Sequence, residues 1–383
     1  MEMVIIVNNI KAFMSNGSKE NKIKIIGILA MIIIGIAVII GVNNNYNMYD
    51  KTIGKITSVK TEEAEVRNGP NGEEEQYYRQ EITVELKNSE EKGESVKIIN
   101  TYSESFIDSQ KYSKGDKIFI DISIRDGEIS NSRIIGVKRD TYLAICLVIF
   151  IIALIAIAGK YGVIAILTVV FNIGAMLYFI KEYIEGGRFN TINNVMILTL
   201  TIITLAFIGG FTRKTLGAIV STILTLYTIY GIYLVTLRFS RAPHYEFIEY
   251  QLGAMDIESI TLLGMIVGCL GAVMDVCITI NSAVNELIIV DENIGTKSII
   301  KSIKEIGYDI MGTMINVLMF SYVGGSLTII LIKLANGYSM QALMKFDYSF
   351  EIIRFLIGAI GIVVAVPISG FVAILLLKKG WRR

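Results

Sequence analysis

The sequence predicts an all-α membrane bundle of about eight transmembrane helices, with a small extracytoplasmic β-barrel-like domain inserted after the first helix. Three observations predict it. Of 383 residues, 53% are apolar and 19% are charged, and the mean hydropathy is +0.56; an ordinary soluble domain carries about 25% charged residues. The charges are bunched, with 34 of the 71 Asp, Glu, Lys and Arg in residues 43–140. The rest of the chain falls into apolar runs close to the ~20 residues that a bilayer crossing needs. The expected organisation is a cytoplasmic N-terminus and anchor over 1–42, a β domain over 43–140, and a seven-helix transmembrane domain over 141–383.

Taken in order, the spans are expected at about 25–42, 141–158, 161–180, 191–211, 215–237, 259–285, 310–332 and 355–377. The second and third are parted only by Gly159-Lys160, enough for a tight helical hairpin. The first could be read as a cleaved signal peptide, but Ile40-Gly41-Val42-Asn43 is a poor cleavage site and the run is long for a signal core. Orientation follows from Lys and Arg placement. With the N-terminus inside, the cytoplasmic pieces carry 14 basic residues and the short outer loops carry 7, among them Arg354. Both termini are therefore expected in the cytoplasm of a plasma-membrane protein, with 43–140 outside. Before the seventh span, Ile299, Ile300, Ile303 and Ile306 alternate with Lys297, Lys301 and Lys304. That pattern predicts a separate amphipathic helix at about 296–307 in the cytoplasmic interface.

Within 43–140 the chain alternates in period two, as in Ile82-Thr83-Val84-Glu85-Leu86 and across 118–124. Such runs are half-buried strands. Candidate partners are 53–60, 95–100 and 128–137, and Asn68-Gly69-Pro70-Asn71-Gly72, Lys114-Gly115-Asp116 and Asp126-Gly127 supply turns. Five or six short strands predict a small barrel of the OB or SH3-like kind.

Composition excludes several chemistries. One histidine, His244, and three scattered cysteines make no metal-binding cluster, and no cofactor is expected. No Gly-rich phosphate loop is present, and a net charge of +1 gives no case for nucleic acid. His244 and the acidic Asp256, Glu258, Asp291 and Glu292 could help attract cations, although loop charges are usually just solvated.

The chemistry is expected at Asp275, the one Asp, Glu, Lys, Arg or His inside any span, about midway along the sixth. An ionised carboxylate at that depth costs several kcal/mol unless it is paired, hydrated or protonated. Asp275, Thr279, Ser282 and Glu286 follow at i, i+4, i+7 and i+11 and share one face, with Asn281 and Asn285 beside it. Because polar groups are costly to turn toward lipid, that face is expected to look into the bundle. Asp309, Thr313 and Asn316 repeat the spacing on span seven and are candidates to face it. Gly264, Gly268 and Gly271 would permit close helix approach, and Pro367 is expected to kink span eight.

Gly268-Cys-Leu-Gly-Ala-Val-Met-Asp275 through Glu286 resembles the signature of the YibE/F-like family of bacterial membrane proteins. So do Ile306-Gly-Tyr-Asp through Asn316, Phe320-Ser-Tyr-Val-Gly-Gly-Ser326, and Glu351-Ile-Ile-Arg354 through Ser369. The chain departs from the pattern at Cys277-Ile-Thr279, where smaller residues and a serine are expected. The resemblance implies the architecture and a permease-type role without an assigned substrate. The family's frequent pairs of adjacent genes imply a paralogous membrane partner or a homo-oligomer in the lipid bilayer.

Three functions compete. A secondary transporter would use Asp275 as its proton or cation coupling site, although the inverted repeats common in such proteins are not evident. A scaffold, sensor or subunit would act through its β domain. An intramembrane aspartyl protease would need Asp275 and Asp309 within about 3 Å. Their axial offset is on the order of 14–17 Å by helix rise, so no enzyme is expected and transport leads.

Overall fold

A computed structural model describes residues 19–378 except 69–73, 90, 107–108, 126–127, 241–256 and 345–347. Lys11, the turns at 69–72 and 126–127, His244 and Asp256 lie outside the described residues. The chain separates into two compact units, Met1–Gly162 and Val163–Arg383.

The first unit holds helix α1 (Lys19–Asn43), strands β1 (Thr52–Asn68), β2 (Glu74–Leu86), β3 (Ser95–Ser103), β4 (Lys117–Arg125) and β5 (Glu128–Val137), and helix α2 (Asp140–Ala158). The strands form one antiparallel sheet in the order β3-β2-β1-β4-β5. This corrects the expected barrel, because among the described residues no ladder joins the edge strands β3 and β5. A barrel has no edges and requires every strand to pair on both sides. The sheet curls without closing. Only Thr52–Lys55 of β1 pairs with β4, whereas β1 pairs with β2 out to Asn68. The far half of β1, residues 61–68, is therefore an exposed arm. Alternation puts Ile56, Ile82, Val84, Val96, Ile98, Ile118 and Ile120 on one buried face. Gly54 belongs there, since a β-carbon would collide with Val84 and Ile120.

Polar bonds tie the sheet to the helices. Asn88 Oδ1 accepts from Ile53 N at 2.5 Å, and its Nδ2 donates to Tyr46 O and Lys51 O at 3.0 Å. Lys138, whose side chain is fully buried, donates to Val42 O at 2.8 Å and to both Asp140 oxygens at 2.7 and 2.8 Å. Lys117 donates to Asn43 O and Oδ1. Two lysines at strand ends thus satisfy terminal carbonyls of α1, where the helix dipole favours cations. Gly35 lets α1 approach α2, a β-carbon there falling 2.5 Å from Val148.

Gly159, at φ 58°, ends α2 and gives the tight link expected from Gly159-Lys160. Helix α3 (Lys160–Ile184) leads into the second unit, which continues with α4 (Phe189–Gly209), α5 (Arg213–Ser240), α6 (Ile257–Val290), α7 (Thr296–Ala335) and α8 (Ser349–Ala373), which a π turn extends to Lys378. All eight long helices, α1 to α8, are apolar enough to cross a bilayer. Their centres agree with the expected spans. α6 is the hub, touching α4, α5, α7 and α8. Small and branched residues such as Cys269, Val273, Cys277 and Ala365 fill the core. Between apolar helices in lipid such packing acts through van der Waals contact rather than water exclusion.

The amphipathic segment at 296–307 is not a separate element. It is the first part of α7, a 40-residue helix about 60 Å long at 1.5 Å per residue. Nothing between Gly307 and Asp309 breaks it. Part of its isoleucine face is used by protein: Ile299 and Ile303 are buried whereas Ile300 is exposed, Ile303 lies 3.1 Å from where a β-carbon on Gly370 of α8 would sit, and Gly307 admits Val366. Lys378 then donates to Ile294 O and Thr296 Oγ1, at 2.9 and 2.8 Å, closing that end.

Candidate functional site

α6 carries two unlike faces. At about 100° per residue, Val273, Val276, Cys277, Ile280 and Val284 centre on one direction, and all five are buried. Asp275, Thr279, Ser282 and Glu286 centre roughly 150° round the helix by the same geometry. Asp275, Thr279 and Glu286 are exposed and Ser282 is half-buried. The polar stripe therefore faces away from the core of its own unit, against the expectation. The branched stripe is the better packing surface, and opposite faces of one helix cannot both be buried by the same neighbours. Asn285 is half-buried. Asn281, about 80° from the apolar stripe, is fully buried.

Asp309, Thr313 and Asn316 are likewise exposed, on α7. Thr313 donates to Ile310 O at 2.9 Å and Asn316 to Gly312 O at 2.8 Å. Both bonds stay within α7, and among the described residues no hydrogen bond or ion pair joins this stripe to the one on α6. Pro367 lies inside α8, beside an apolar groove shared with Ile300, Tyr308 and Phe371.

The glycines divide. A β-carbon on Gly268 would collide with the Tyr322 hydroxyl, and one on Gly264 would lie 3.2 Å from Arg354 Nη2, whereas Gly271 meets nothing within 4 Å. Arg354 sits 5.1 Å from the Tyr322 ring centroid and bonds Glu351 at 3.1 Å. The Tyr322 hydroxyl has no hydrogen-bond partner among the described residues. Three of the segments that carried the family resemblance meet here. Arg354, counted above among loop charges, is a half-buried helix residue packed on an aromatic face. Its i, i+3 spacing from Glu351 was the available signal.

An uncharged polar seam went unread in the sequence. Ser221, Thr222 and Thr225 on α5, Asn281 on α6 and Ser369 on α8 are all fully buried. Asn281 Nδ2 donates to Cys277 O at 2.8 Å and to Ser221 Oγ at 3.4 Å, in space that Gly217 leaves open. Ser369 donates to Cys277 Sγ at 3.2 Å. Ser221 and Thr225 donate to the carbonyls four residues back, at 2.7 and 2.9 Å, the local bond that lets a hydroxyl be buried in a helix. Asn281 Oδ1 and Thr222 Oγ1 have no partner among the described residues. The i, i+4 spacing of Gly217, Ser221 and Thr225 was the legible trace. Among the described residues, no group of three or more His, Cys, Asp or Glu could hold a metal ion.

Among the described residues, eight helices are long and apolar enough to cross a membrane, which suggests a multi-pass membrane protein by length and composition. The chain belongs to the YibE/F-like family. Residues 146–379 match YibE/F-like protein, and residues 47–137 match the YibE/F family N-terminal domain. No curated protein and no solved structure matches the chain.

Proposed function

We propose that this chain is a subunit of a bacterial plasma-membrane permease in which Asp275 is the proton- or cation-coupling carboxylate. One observation carries the reading: Asp275 lies mid-helix on the exposed face of α6, in line with Thr279 and Glu286. A carboxylate facing hydrocarbon is costly. In the bilayer, therefore, this stripe borders a hydrated path covered by a second transmembrane subunit of the same family. The Lys and Arg distribution supports cytoplasmic termini and an outer β domain.

The test is proton and cation flux in proteoliposomes, comparing the wild type with Asp275→Asn. Flux in the wild type that the variant loses, with folding retained, is the expected result. Silence of both proteins would remove ion transport by this chain alone. A second reading, a non-transporting subunit acting through its β domain, is favoured by the exposed β1 arm. It expects deletion of 43–140 to abolish cellular function while Asp275→Asn leaves it intact.

A further inference from the structure

The apolar groove between α7 and α8 carries lysines at one end. It holds about 460 Å³, with buried Ile303, Val366 and Gly370 as its floor and exposed Ile300, Tyr308 and Phe371 as its walls. Its residues run from Ile300 to Met311 on α7 and from Val363 to Ile374 on α8. Each run rises about 16 Å at 1.5 Å per residue, half of a hydrocarbon core about 30 Å thick. The groove is therefore as long as one leaflet is deep. At about 30 Å³ per water-sized group, it takes roughly 15 methylenes.

Among the described lining residues, Lys304 alone is charged. Side chains on a helix tilt toward its N-terminus, so Lys304 reaches toward the Ile300 end of the groove. Lys297 stands seven positions earlier on the same face. Both lysines are exposed, and among the described residues neither has an ion-pair partner. The other charges at this end are engaged or turned away. Glu305 pairs with Lys301 at 3.9 Å, and Lys378 is bonded to Ile294 and Thr296. Asp309 lies about 140° round α7 from Lys304. Depth agrees as well: Gly370, which meets Ile303, lies about 32 Å of helix rise beyond Ser349, where α8 begins. That is one hydrocarbon thickness, which brings Lys304 to the opposite interface.

We propose that this groove binds a glycerophospholipid with an anionic headgroup, one acyl chain lying along the groove and the headgroup at Lys304 and Lys297. An apolar concavity in lipid has to be filled, because an empty one forfeits contact on one side. The two lysines, without a counter-charge of their own, select which lipid fills it. In the orientation proposed above the lipid comes from the cytoplasmic leaflet; the binding itself is independent of that orientation and of Asp275.

Native mass spectrometry of the full chain released from detergent tests this. The probes are dioleoyl phosphatidylglycerol and dioleoyl phosphatidylcholine, which share their chains and differ in net charge. One saturable phosphatidylglycerol is expected, bound about 5- to 30-fold tighter than phosphatidylcholine, as roughly 1 kcal/mol for each of one or two lysines implies. Lys297→Gln combined with Lys304→Gln, both at exposed positions, should erase that preference while phosphatidylcholine still binds. Val363→Trp, at an exposed position in the groove, should weaken both lipids at least fivefold. Glycerol phosphate, which has the charge and no chain, should not displace the lipid. Equal affinity for the two lipids, a preference that survives the double variant, unchanged binding to Val363→Trp, or displacement by glycerol phosphate would each overturn the proposal. So would a dimer that Val363→Trp dissociates, because a second copy would then cover the groove.

Discussion

Lys138→Met tests how the β domain is held on its helices. The wild-type ammonium is fully buried and bridges Val42 O, at the end of α1, to both carboxylate oxygens of Asp140, at the start of α2. Removing one partner of a buried ion pair costs about 3–5 kcal/mol. The Asp140 side chain is 26% exposed and keeps the Tyr49 hydroxyl at 2.6 Å and Thr141 N at 2.9 Å. The expected cost therefore falls to about 2–3 kcal/mol, or roughly a 30- to 150-fold change in the opening equilibrium. Hydrogen–deuterium exchange on the full-length protein reads that opening directly, in peptides covering β4, β5 and the first turn of α2. Asp140→Asn should cost at least as much, since it strands the buried ammonium, and the double variant should be milder than the two singles summed. Protection within twofold of wild type, or strict additivity of the singles, would refute this account.

Gly217→Val should destabilise the second unit by about 1–3 kcal/mol by overpacking, because the new side chain takes the space of the Asn281 amide. Asn281→Leu should be close to neutral in detergent melts, since removing an acceptor that has no partner offsets the loss of the Nδ2 bonds to Cys277 O and Ser221 Oγ; a melt as high as wild type for the first and a steep fall for the second would reverse the argument. In the β domain, burial pushes the Tyr112 phenol above its ordinary value of 10.0. The folded domain holds the neutral form, so this contribution is complete below about pH 10 and is lost as pH rises through the raised value. Circular dichroism of the sheet against pH, with Tyr112→Phe as control, should show alkaline unfolding that the variant delays; identical curves would exclude Tyr112 as the cause.

The legible part of the fold was local. Apolar runs located all eight helices, although α7 begins 14 residues before its expected span, and period-two alternation located the five strands. Even the outward direction of Asp275 was available, because 273, 276, 277, 280 and 284 trace an apolar stripe nearly opposite it. The cost of a lipid-facing carboxylate points the other way, so the sequence alone carries both signals. Barrel closure was not legible, because it depends on whether β3 and β5 pair, and neither strand's own pattern says so. The continuity of the amphipathic segment with α7 was not legible either, since its own pattern is that of a short separate helix. An isoleucine stripe looks the same whether it packs on lipid or on Gly370 and Val366.

What the sequence determined by itself was therefore element type, the period of each face, and the rarity of charge within the spans. The tertiary structure decided which faces meet. It brought Lys138 to Val42, Tyr322 to Gly268 and Arg354, and Asn281 to Ser221, pairs separated by 96, 54, 32 and 60 positions. Periodicity is a property of one segment and can be read along it. Contact between faces depends on the shapes of both, and appears only when the helices are packed together.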